Sequence, residues 1–244
     1  TITLNADIVG TLDKIKPTAK IALNDIDIKN VPIDTSLKLP NTAVNIVSDG
    51  KTFSGTALSE NIKVINPAAS VSIPRVTAGI LPEVITISKT PVVVEKIKFD
   101  VEGKVKNYLT EKIGLDFVTT GDIKSTLTGD MNIVKQTLNL GFNAQNSTII
   151  IPMFDKSKMT FNGNIGIGGS MLNPILTGTV NVPSINIPEI PVVMENLVAK
   201  LHGPILNGTA TLAKFGSGGI VAENLTTDFS LKGENFYLNS LKGT

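Results

Sequence analysis

The sequence predicts an all-β chain arranged as an elongated, repetitive and mostly antiparallel sheet, and three observations lead there. Apolar and polar residues alternate over long stretches, as in Lys158 to Gly168, where Met159, Phe161, Ile165 and Ile167 share one parity and Lys158, Thr160, Asn162 and Asn164 share the other. A pleated strand with that pattern has one greasy face and one wet face. The composition is 41% hydrophobic but only 5% aromatic, so the apolar content is aliphatic and β-branched, which suits strands better than long helices. Glycine then punctuates the alternating runs: Leu225, Phe229 and Leu231 oppose Thr226, Asp228, Ser230 and Lys232 in a stretch that ends at Gly233.

Taken in order, the chain begins with Ile2, Leu4, Ala6 and Ile8 against Thr3, Asn5 and Asp7, closed by Gly10. With no signal peptide ahead of that strand, the sequence reads as a piece of a longer protein. Short strands follow around Ile21, Ile26 and Leu37, broken by Pro17, Pro32 and Pro40. A proline lacks the ladder donor, so these breaks are expected at strand ends, edges or bulges. Asp49-Gly50 is the strongest hairpin signal of the first half. Between Val71 and Val94, Pro74, Pro82 and Pro91 predict changes of register. Ile97, Phe99 and Val101 then oppose Lys96, Lys98, Asp100 and Glu102, and Lys104 to Glu111 is compatible with a helical turn or with strand. The same rule places Ile123, Leu127, Met131 and Ile133 on one side, and continues with Leu138, Leu140 and Phe142. Leu176, Val180 and Val182 come next, then Ile185 and Ile187, with Pro183 marking a change of phase.

Residues 91–105, PVVVEKIKFDVEGKV, echo residues 191–205, PVVMENLVAKLHGPI, with Pro91/Pro191, Val92/Val192, Val93/Val193, Glu95/Glu195 and Gly103/Gly203 identical. Similar pieces lie upstream of each, so approximate repeat units of 71–105 and 180–205 are expected within one extended array spanning 1–244. One-faced units need neighbours to cover them. Two arrangements do this: a sandwich that hides two such faces against each other, or a long sheet bent into a lined trough.

Several function classes are disfavoured. The formal net charge is +1 with both signs interspersed, so the basic stripe of a nucleic-acid binder is missing. Zero cysteines remove thiolate zinc sites and thiol nucleophiles. His202, the only histidine, echoes Glu102 on a polar parity and reads as a solvated surface residue. The glycines of Gly163 to Gly169 alternate within a strand rather than opening a lysine-bearing helix, so they do not make a phosphate loop. Asn146-Ser147-Thr148, Asn207-Gly208-Thr209 and Asn224-Leu225-Thr226 are glycosylation sequons by composition. The reading is of a protein that is not an enzyme and needs no metal or cofactor.

Asn173-Pro174-Ile175-Leu176-Thr177-Gly178-Thr179-Val180 resembles the recurring strand signature of the AsmA-like and TamB-like bacterial envelope proteins, and Ala222 to Gly243 is similar to their paired strands. The resemblance covers 161–243. It implies a sheet curved into a taco-like hydrophobic groove that conducts phospholipid acyl chains between inner and outer membranes, supporting outer-membrane biogenesis. It further implies phospholipids as partners, a periplasmic location, an inner-membrane anchor missing from this sequence, and docking on an Omp85-type outer-membrane barrel. The groove lining would then be Ile97, Phe99, Val101, Ile123, Leu127, Leu138, Leu140, Phe142, Met159, Phe161, Ile165, Ile167, Leu176, Val180, Val182, Leu225, Phe229 and Leu231. The competing expectation is a structural or adhesive all-β envelope protein, a β-solenoid or stacked sandwich, with no ligand channel.

Overall fold

A computed structural model describes residues 2–11, 14–30, 35–66, 69–150, 157–187, 189–203, 207–232 and 235–243. The chain falls into two units, Thr1–Gly121 and Asp122–Thr244. The first holds β1 (Ile2–Thr11), β2 (Lys14–Asn30), β3 (Thr35–Ser48), β4 (Phe53–Asn66), β5 (Ala69–Leu81), β6 (Val84–Val94), β7 (Ile97–Lys106) and β8 (Lys112–Gly121). The second holds β9 (Ser125–Asn132), β10 (Thr137–Ile150), β11 (Lys158–Ser170), β12 (Pro174–Ile187), β13 (Val192–Leu201), β14 (Asn207–Ser217), β15 (Ile220–Lys232) and β16 (Asn235–Lys242). Within each unit every strand pairs antiparallel with the next one in sequence, giving a simple meander. The repetitive antiparallel sheet expected from the alternation is present in both.

The turns follow local chemistry. Between β3 and β4 the Asp49 carboxylate accepts the amides of Lys51 at 2.9 Å and Thr52 at 2.8 Å, while Gly50 takes a φ of 87° that a side chain would resist. The stretch compatible with a helical turn is not one: β7 runs through Lys106, and Thr110 closes the following turn by donating its amide to the Asn107 carbonyl at 2.9 Å. Ile133 lies past the end of β9 and is exposed, so the strand is shorter than the alternation implied.

The prolines correct the sequence reading most. Pro40, read as a break between short strands, lies inside β3; Pro74 and Pro183, read as changes of register and phase, lie inside β5 and β12; and each of the three faces a residue with left-handed backbone. Asp25 (φ 54°) and Asn61 (φ 55°) flank Pro40 on its two sides, Asn61 also faces Pro74, and Asn196 (φ 53°) faces Pro183. The ladder skips the proline's rung, as between the Val182/Leu197 and Ser184/Glu195 pairs, and between β3 and β4 the Leu39 rung beside Pro40 as well, so the missing proline N–H costs no hydrogen bond. Asn and Asp are the non-glycine residues that best tolerate this conformation.

Each skipped rung reverses the side-chain parity on both strands at once. On β12 the apolar side is Leu176, Val180 and Val182, then Ile185 and Ile187, while Pro183 and Ser184 are both exposed. On β13 it is Val192 and Met194, then Leu197, Ala199 and Leu201, with Glu195 and Asn196 both exposed. β14 and β15 repeat the switch at Ala213 and Asn224 (φ 51°). A seam thus crosses the strands at one level, and the apolar face continues unbroken across it. β11 has no such residue; its register slips against β10 and against β12 instead, and the two slips offset each other.

The expectation of a taco-like groove is overturned. Within each unit the sheet is not strongly curled. Curling requires bulges and kinks whose bends add from strand to strand, whereas these switches come in matched pairs that restore the register. Among the described apolar residues only Val92, Ala144, Val182, Ile185, Ile187, Leu201 and Phe229 are buried, and the others on the apolar side remain half-buried.

Gly178 gives this packing a direct test. Its φ is +136°, and a Cβ there would strike the Asn164 carbonyl oxygen and the Ile165 Cα of β11. Gly178→Ala is expected to lower unfolding free energy by about 1–3 kcal/mol. Gly216→Ala, which meets nothing within 4 Å, is expected to change it by less than about 0.5 kcal/mol. Urea melts of both variants check this.

Candidate functional site

The register collects the sequence-predicted lining residues on one side of each sheet. In the first unit Ile97, Phe99 and Val101 stand beside Val94, Val92 and Thr90. In the second, Leu127, Phe142 and Ile165 form one cross-strand row, and Leu140, Ile167 and Leu176 form the next. Leu138 stands opposite Gly169, Met159 opposite Ile185, Val180 opposite Gly163, Leu225 opposite Leu212 and Phe229 opposite Gly208. Phe161 pairs with Ser147, and Ile123 lies just ahead of β9, half-buried. The Leu231 side chain lies outside what is described; its backbone pairs with Phe236.

These residues form a face and not a conduit. The tightest packing is a cluster of Val182, Ile185 and Ile187, against which Met159, Phe161, Val180, Val192, Met194 and Leu197 are packed. Ile185, Ile187, Met194, Leu197 and Leu201 belong to the face but are absent from the predicted lining, although Pro183 and the jump from Met194 to Leu197 both mark the phase change that brings them there. The echo residues also fall in different settings: 91–105 spans the end of β6, a turn and β7, whereas 192–201 is the single strand β13.

Two hollows among the described residues lie on the other side. One is lined by Asn143, Gln145, Asn162, Asn164, Thr179 and Asn181, where the Asn146 amide donates to the Asn162 side-chain oxygen at 2.8 Å. A second lies on the seam at Asn196, Thr211, Ala213, Asn224 and Thr226. A third, at the tip of the β3–β4 hairpin, is walled by Val47, Phe53, Leu81 and Pro82 beside Asp49. All three are shallow and open, and none has walls that enclose an acyl chain. Uncharged amides and hydroxyls dominate the first two, so the chemistry available there is hydrogen bonding rather than proton transfer.

Charge is sorted as strictly as hydropathy. Lys158, Glu195, Lys200, Lys214, Glu223 and Asp228 are all exposed on the polar side of β11 and β13–β15. In the first unit the polar side carries the ion pairs Lys89–Asp100 at 3.2 Å and Lys106–Asp116 at 3.0 Å. At such exposure each contributes at most about 1 kcal/mol. His202 is exposed, and its backbone amide donates to the Asn207 carbonyl at 3.0 Å. Among the described residues no group of three or more His, Asp or Glu is placed to hold a metal ion, and no helix is long and apolar enough to cross a membrane.

Ser147 shows how the apolar side accommodates a polar atom. It is 0% exposed; its hydroxyl donates to the Lys124 carbonyl and accepts the Lys124 amide, both at 3.0 Å, where β9 begins. Ser147→Ala deprives the Lys124 amide of its partner, while the Lys124 carbonyl keeps the Gln145 amide at 2.9 Å, and is expected to cost about 1–3 kcal/mol. Chemical denaturation measures the loss, and faster amide exchange at Lys124 locates it.

No family model matches this chain, and neither any curated protein nor any solved structure does, so its function is argued from geometry alone.

Proposed function

We propose that this chain is a non-enzymatic structural or adhesive all-β protein without a ligand channel. The observation that carries the reading is that within each unit the sheet is not strongly curled, that its apolar side is a broad surface, and that two of the hollows, lined by amides and hydroxyls, open on the polar side. A lipid conduit needs walls that keep an acyl chain out of water along its path, because each exposed methylene forfeits about 0.8 kcal/mol. The described rows lack such walls, which overturns the lipid-conducting reading and the groove on which it rested. What the fold does supply is repetition: backbone ladders run from strand to strand, and side chains of one kind recur over a wide area. Such a sheet bears load or presents many weak contacts in parallel, and its amide-rich polar side suits hydrogen bonding to other surfaces. A cell-envelope setting, which the absence of cysteine suits, is part of this proposal.

Protein purified without detergent and extracted for lipid tests the reading. Far less than one phospholipid per chain is expected. Stoichiometric phospholipid that is retained by Asn164→Asp and lost from a folded Ile165→Asp would restore a lipid-binding role and sink the structural one.

A further inference from the structure

The apolar side of β10–β15 leaves a physical question open: what keeps it out of water. Six strands spaced about 4.8 Å apart, each about 40 Å long, present on the order of 1,100 Å². Contiguous apolar patches on soluble monomers rarely exceed a few hundred Å². This face is therefore large enough to require a cover.

We propose that the apolar face of β10–β15 is closed by the same face of a second copy, giving a two-sheet sandwich across a twofold axis. The inference rests on the structural reading above. Stable interfaces bury about 800 Å² per partner, so the face is large enough for a lasting dimer. Apolar sheet faces stack at about 10 Å with interdigitated side chains, and an uncurled sheet can meet a copy of itself without a mismatch of curvature. Charge raises no obstacle, since Lys158, Glu195, Lys200, Lys214, Glu223 and Asp228 all point to the other side. Two of the hydroxyls on the face are already satisfied within the chain: Ser147 is bonded to Lys124, and Thr227 donates to the Asp228 carbonyl at 3.1 Å. A face without charge among its described residues and with few polar groups offers a foreign partner little to select. It offers area and flatness, and a second copy matches it in both by symmetry.

The test is sedimentation of the full chain over a hundredfold range of concentration. The expected mass is twice 25.8 kDa, with Ile165→Asp weakening association at least tenfold and Asn164→Asp leaving it unchanged. Because Ile165→Asp can fail to fold, single cysteines provide a second measurement in a chain that has none. Ile165→Cys and Val180→Cys are expected to form covalent dimers with a bis-maleimide of about 10 Å span, the distance between stacked sheets, and Asn164→Cys is not. A lipid-free monomer at every concentration overturns the pairing and leaves the structural reading standing. A monomer that carries phospholipid overturns both. A dimer that cross-links through Asn164→Cys but not Ile165→Cys overturns the choice of face.

Discussion

The constraint on which the rest of this structure depends is the paired reversal of side-chain parity along the seam. A single left-handed residue in one strand would turn every later side chain to the wrong face, because the period of a strand is two. Here the strand opposite reverses at the same level, so Val182 and Leu197 pair before the switch in one direction and Ser184 and Glu195 pair after it. Proline and left-handed Asn or Asp are complementary at that rung. One has no amide to donate, and the other turns aside from the ladder.

Much follows from that match. Strands as long as the 14 residues of β12 keep one dry side along their whole length. Charges are driven to the opposite side, where they stay hydrated, and their ion pairs contribute little. Few side chains are fully buried, so the backbone ladders, at about 1 kcal/mol net per hydrogen bond, carry a larger share of stability than in a protein with a closed core. The units differ in this respect. Val92 is the buried apolar residue described in the first, whereas the second has the Val182, Ile185 and Ile187 cluster and Phe229 seated over Gly208. The same balance explains the functional reading, since a sheet held by ladders and sorted into two faces has its chemistry spread over area.

The strands and their faces were legible in the sequence because alternation is a local property: Met159, Phe161, Ile165 and Ile167 reveal their side without any knowledge of their neighbours. Pro183 was legible as a phase change for the same reason. What could not be read was that Asn196, Asn61 and Asp25 adopt positive φ inside strands, since their pairing with a proline is a contact across about 13 to 15 residues that no local pattern reports. Pro40 therefore looked like a break between two strands, although it lies inside β3. Curvature is less local still. An apolar parity says which side is dry but not whether the sheet bends around it, and the matched reversals that leave the sheet uncurled become visible only once register is known. Local alternation could therefore group residues such as Leu127, Phe142 and Ile165, which the register sets side by side, but could not say whether a groove forms over them.

The account's central claim is that parity reverses at Asn196 while the ladder continues. Single-cysteine substitution along β13, from Val192 to Leu201, with the rate of maleimide modification read at each position, tests it most directly. Fast reaction is predicted at 193, 195, 196 and 200, with the two adjacent fast positions marking the seam, and slow reaction at 192, 194, 197, 199 and 201. A strict alternation that makes 197 and 199 fast would contradict it.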